Sequence, residues 1–131
     1  MKTVIEYLGK KKFAAKVRGH EIRTDVPVEK GGEDTAPTPV ELMIAALGTC
    51  AGIFAASYLH IAKINAPEMT VEVDWEYASD PERIGKADIT VKLPGTELGE
   101  RERGLIAAVR KCIVHNTLKD PPDVDIKIET T

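Results

Sequence analysis

Two cysteines, Cys50 and Cys112, stand 62 residues apart and are the only thiols in the chain. Each sits among apolar neighbours, in a stretch whose spacing predicts a helix. A pair of this kind can run a two-step redox cycle. One thiolate attacks an O–O bond and is left as a sulfenic acid, which the second thiol condenses to a disulfide; external thiols then reset the pair. The cycle needs a thiolate, and a free cysteine has a pKa of about 8.5. Apolar surroundings raise that value unless a cation or a hydrogen-bond donor offsets burial. The same two residues also fit a plainer account as inert core cysteines. For direct bridging, their Cα atoms must come within about 7 Å.

Two further side chains accompany the thiols. His115 follows Cys112 by three residues and shares its helix face if the helix is continuous. There it could assist the thiolate or shuttle a proton, or simply stabilise a helix C-terminus. Glu41 precedes Cys50 by nine residues. Nine steps of a regular helix leave it half a turn off, about 13.5 Å along the axis, pointing away from the thiol. Thr38-Pro39-Val40-Glu41 is instead a helix start, with Thr38 as cap, Pro39 at the first helical position and Glu41 completing a capping box. No metal site is expected, since Cys50 and His60 lie about 15 Å apart on one helix and cannot share a tetrahedral ion.

The elements that position these residues are legible from periodicity. Thr3–Leu8, Phe13–Val17 and Glu21–Val28 read as strands separated by Gly9-Lys10-Lys11 and Arg18-Gly19-His20 turns. An acidic Gly/Pro-rich loop from Glu29 to Pro39 leads into a helix that runs to about Lys63. Val71, Val73, Trp75 and Tyr77 alternate with acidic residues as a half-buried strand, and Ala87, Ile89, Val91 and Leu93 repeat the pattern. From Glu100 to Leu118 apolar residues recur at steps of three and four, which predicts one helix ended by Pro121-Pro122. Val124, Ile126 and Ile128 predict a last strand. The order is βββ-α-ββ-α-β, an α+β fold.

The chain of 131 residues, 43% hydrophobic and 30% charged, is expected to form a single domain spanning 1–131. With 18 basic and 21 acidic residues it has no electrostatic footprint for nucleic acid. No leader pattern and only two cysteines point to a cytoplasmic protein. Leu42 to Leu59 is 18 residues without a charge, but it is rich in small residues and lacks flanking basic ones. A helix buried on nearly all sides is expected, not a membrane span. Gly48 and Gly52 give it a smooth face for close approach of another helix. So much apolar surface in so short a chain predicts a homodimer.

The run from Pro39 to Cys50 (PVELMIAALGTC) resembles the signature helix of the OsmC/Ohr family of osmotically inducible and organic hydroperoxide resistance proteins. Lys111-Cys112-Ile113-Val114-His115 is similar to its second-cysteine segment, although many members have Pro where this chain has Ile113. The resemblance implies two central buried helices in an intertwined homodimer and thiol-dependent reduction of small organic hydroperoxides, reset by a dithiol and without a cofactor. It matches Cys50 to the attacking cysteine and Cys112 to the resolving one. Peroxide-reducing members use a glutamate–arginine couple to activate the thiolate. Val40 occupies the glutamate position, with Glu41 beside it, and the N-terminal strands offer Lys10, Lys11, Lys12, Arg18 or Arg23 as the cation. The alternative implied by Val40 is a relative without efficient peroxidase activity that binds small ligands or senses redox state.

Overall fold

The computed structural model describes residues 1–130 and resolves into two compact units, Met1–Ala45 and Ala46–Thr131. The first opens with an antiparallel meander of β1 (Val4–Gly9), β2 (Lys12–Val17) and β3 (His20–Thr24). Arg18 and Gly19 form the two-residue turn between β2 and β3, with φ of 49° and 80°. Positive φ at both positions is the turn whose twist matches that of the flanking strands. After β3 the chain leaves the sheet at Asp25, earlier than the alternation to Val28 predicts. The reason is the Asp25 carboxylate, fully buried, which collects the backbone N–H groups of Val26 (2.8 Å) and Thr35 (3.0 Å) and the Thr35 hydroxyl (2.7 Å). These hydrogen bonds hold the carboxyl far below the usual carboxylate range. Gly32 is wedged against the same group: a Cβ there would lie 2.6 Å from the Asp25 Oδ1 atom and overlap the Val26 carbonyl oxygen.

Helix α1 (Pro39–Ile61) begins in this unit with the predicted capping box. The Thr38 N–H donates to Glu41 Oε1 at 2.9 Å and the Glu41 N–H donates to Thr38 Oγ1 at 3.1 Å.

In the second unit, α1 lies on the hairpin of β4 (Thr70–Ala78) and β5 (Arg83–Lys92). Gly48 and Gly52 face a strand, not another helix: their absent Cβ atoms would stand 3.0 Å from a Val73 methyl and 3.4 Å from a Val71 methyl. Leu47, Ala51, Ala55 and Leu59 are buried, but only 33% of the helix's apolar window is covered, and Ile53 and Ile61 stand exposed. The expectation of burial on nearly all sides is corrected: a two-stranded hairpin and two short helices can cover one face of a 23-residue helix. By length and composition α1 could cross a membrane, yet its inner face is core.

The single helix expected from Glu100 to Leu118 is two, α2 (Arg101–Val109) and α3 (Ile113–Lys119). Lys111 and Cys112 close tight bonds to the carbonyls of Ala108 and Val109, three residues back, and Cys112 then turns to an extended ψ of 123°. Tyr58 packs against α2 at Gly104, where a Cβ would lie 2.7 Å from its Cζ. Leu105 joins Ala55 and Leu59 in the core. The predicted last strand is also corrected. Residues 121–130 form no strand, and Val124, Ile126 and Ile128 are 77%, 85% and 88% exposed. Alternation marks two faces, but a strand also needs a neighbouring ladder, and none of the described residues supplies one.

Candidate functional site

The second unit brings Cys50 and Cys112 together. Cys50 lies on α1, one turn after buried Leu47, and is half-buried; Cys112 is almost wholly buried at the break between α2 and α3. Both thiols are free, and they lie within hydrogen-bonding reach of each other. Cys112 is the N-cap of α3, its Sγ accepting the His115 N–H at 3.5 Å. The amides of Val114 and Ile113, just before it, favour the charged form of the nearby Cys50 sulfur. The Cys112 sulfur therefore takes up one of the first N–H groups of α3, which have no acceptor inside the helix.

This arrangement separates the two thiols chemically. Cys50 is pulled below its ordinary value, first by the Cys112 S–H that donates to it and next by the Val114 N–H. Partial burial opposes these, and the Ile113 N–H adds to them. Cys112 is pushed up, mainly by burial and then by keeping its proton for the Cys50 sulfur; the His115 N–H works the other way. Of the two, Cys50 is the more readily ionised and Cys112 the more firmly protonated. A partly buried anion beside a neutral thiol is the charge distribution that nucleophilic attack followed by resolution requires.

The remaining candidates fall elsewhere. His115 is in the first turn of α3, so the helix C-terminus reading is corrected, and its place is beside the thiols through its main chain. Its side chain helps line a cavity of about 540 Å³ between β5, α2 and α3, walled by Leu47, Val91, Leu105 and Val109 with Arg110 at the edge. Glu41 is held by Thr38. Arg18 is the exposed tip of a turn and makes no ion pair among the described residues. Lys10 and Lys12 pair with Glu33, at 3.7 and 2.6 Å, and Arg23 with Glu21 at 2.7 Å. Sequence reasoning missed Asp25 and the two amides at Cys50. The first had no motif; the second had one signal, a residue other than Pro after Cys112.

Taken together, an α+β chain that draws one thiol from a long core helix and another from the cap of a short one is a paired-cysteine protein. Residues 31–127 match the model of the family described as OsmC-like protein, and the chain belongs to that family. Solved structures share the fold. A Psychrobacter arcticus 273-4 protein, provisionally named for osmotic stress induction and detoxification response, is 22% identical with a TM-score of 0.79, over 88% of this chain and 85% of that one. An OsmC-like protein of unknown function from Vibrio cholerae is 14% identical with a TM-score of 0.72, over 88% and 91%. An organic hydroperoxide resistance protein, OsmC, from Legionella pneumophila is 18% identical with a TM-score of 0.63, over 91% and 90%. A search of curated protein sequences returns no match.

Proposed function

We propose that this protein reduces organic hydroperoxides, with Cys50 as the attacking thiolate and Cys112 as the resolving thiol. The observation that carries the reading is the split between two touching thiols, one lowered by donors and one raised by burial. The Cys50 thiolate attacks one oxygen of the hydroperoxide; the O–O bond breaks and the alcohol leaves with a proton. Cys112 then attacks the Cys50 sulfenic sulfur, expelling water and closing the disulfide. Two electrons from a dithiol reopen it. The apolar cavity supports an organic substrate, because an alkyl or aryl tail gains from burial and hydrogen peroxide does not. A thiol count before and after one equivalent of organic hydroperoxide tests the cycle. Loss of two thiols with a mapped Cys50–Cys112 bridge is expected; unchanged thiols refute it.

The working form is a homodimer on this reading. The chain exposes 10469 Å². A folded 14.3 kDa monomer exposes about 6,800 Å², and two separately folded pieces divided after Ala45 about 8,100 Å². The surplus is of the order that obligate interfaces bury. Sedimentation at micromolar concentration checks it, and a well-folded monomer refutes it.

A second reading, a redox sensor or small-ligand binder without efficient turnover, is favoured by one observation: Glu41 is spent on its helix cap. Bridge formation without sustained turnover in excess dithiol would select it.

A further inference from the structure

The cavity between β5, α2 and α3 lies wholly in the second unit and is not the thiol site: neither Cys50 nor Cys112 lines its wall. It comes close to both, through Leu47 one turn before Cys50 and through His115 three residues after Cys112. Its volume of about 540 Å³ falls in the range of small-molecule sites, about 300–1,000 Å³. The walls are mainly aliphatic, with Ile89 and Val91 from β5 and Leu105 and Val109 from α2. A few polar side chains interrupt them, and these are sorted by charge. Asp88 is neutralised by Lys86 at 3.3 Å. Glu102 stands in the first turn of α2, eight residues before Arg110, so the two mark ends about 12 Å apart along the helix axis. At the Arg110 end the His115 imidazole joins the wall, and the guanidinium makes no ion pair among the described residues.

We propose that this cavity binds a small apolar carboxylate, whose tail lies between β5 and α2 and whose carboxylate meets Arg110 and His115. The tail gains with each methylene it removes from water. A planar guanidinium takes a carboxylate through two parallel N–H bonds, and an imidazole offers a further N–H. A cationic ligand would meet like charge at this end of the cavity, and a neutral one would gain nothing from it. The ligand needs no O–O bond and touches neither thiol, so the inference goes beyond the peroxidase reading. A hydroperoxide tail entering beside Leu47 would meet the carboxylate's tail there, which makes the carboxylate a competitor of such a substrate.

The test is equilibrium dialysis of the reduced full chain against hexanoate, octanoate and decanoate, with decanol as the neutral control. One saturable site per chain is expected, tightening about tenfold with each pair of methylenes added. Arg110→Gln should weaken decanoate about three- to fivefold, since the guanidinium is solvent-exposed, and leave decanol unchanged. Ala87→Leu, which pushes further carbons into the cavity from β5, should weaken both at unchanged melting temperature. If that variant melts early, the chain-length series carries the same test: affinity independent of tail length overturns the proposal. Absence of saturable binding overturns it too, as does an Arg110→Gln variant that binds decanoate like the wild type or loses decanol equally. Cys50→Ser should bind decanoate as the wild type does; a tenfold loss would seat the ligand on the thiols and overturn the separate site. Decanoate binding as expected in a protein that consumes no hydroperoxide would sink the peroxidase reading and leave this one standing.

Discussion

Replacing Cys112 by serine and by alanine separates its roles. In the structure the Cys112 side chain donates to the Cys50 sulfur, caps α3 through the His115 N–H, and fills a buried position with 1% of its surface exposed. Serine keeps a donor and is a strong N-cap, so Cys112→Ser is expected to retain both hydrogen bonds while losing the second redox thiol. Alanine keeps neither. Loss of the cap alone costs about 0.5–2 kcal/mol of stability. Loss of a hydrogen bond to a charged sulfur costs about 1.5–3 kcal/mol in a buried setting; Cys50 is half-exposed, and solvent should reduce this to about 1 kcal/mol, a roughly fivefold smaller thiolate fraction. The assay is single-turnover oxidation of Cys50 by an organic hydroperoxide at pH 6–7, with the sulfenic acid trapped by a dimedone reagent. Cys112→Ser should give trapped Cys50 at near the wild-type first-oxidation rate. Cys112→Ala should be about fivefold slower at this pH and converge on the serine variant above the thiol pKa. If the two variants react alike at every pH, the Cys112 side chain does not set the Cys50 ionisation and the argument for separated thiols fails.

Other perturbations follow from the same packing. Glu41→Gln should leave Cys50 oxidation and alkylation rates unchanged, and Thr38→Ala, which removes the cap, should cost about 0.5–2 kcal/mol in urea unfolding without altering those rates; a drop of orders of magnitude in either rate would place Glu41 at the site. Gly104→Ala puts a Cβ into the Tyr58 phenol, and its overpacking cost of about 1–3 kcal/mol should exceed the roughly 1 kcal/mol gained in helix propensity. Adding Tyr58→Phe, which deletes the nearest atom, should recover part of the loss, and strict additivity in the double-mutant cycle would refute this contact. Asp25 has its folded pKa depressed, so its contribution to stability is fully present above the unfolded value of about 3.9 and is lost as pH falls toward the folded one. Melting temperatures from pH 7 to 2.5 should therefore fall more steeply below pH 4 in the wild type than in Asp25→Asn, and parallel curves would contradict the assignment.

Local patterning determined a good deal of this protein. Thr38, Pro39 and Glu41 specify where α1 starts because a capping box satisfies orphan donors with residues three apart, whatever the rest of the fold does. Period-two alternation located β4 and β5, since one face of a hairpin must be apolar to lie on α1. The resemblance of PVELMIAALGTC named the family that residues 31–127 match. What periodicity could not see is where backbone donors go. Residues 110–112 contain neither Gly nor Pro, so nothing in their types interrupts a helical pattern, yet the helix breaks there and Cys112 caps α3. The tail from Val124 to Ile128 alternates as a strand does, yet a strand exists only where another ladder meets it. Gly48 and Gly52 signalled close approach without saying to what, and the answer, Val71 and Val73, depends on a hairpin twenty residues further on. The charge state of the two thiols belongs to the tertiary structure as well. Cys50 and Cys112 stand 62 residues apart in sequence, and only the meeting of their elements lowers the pKa of one thiol and raises that of the other.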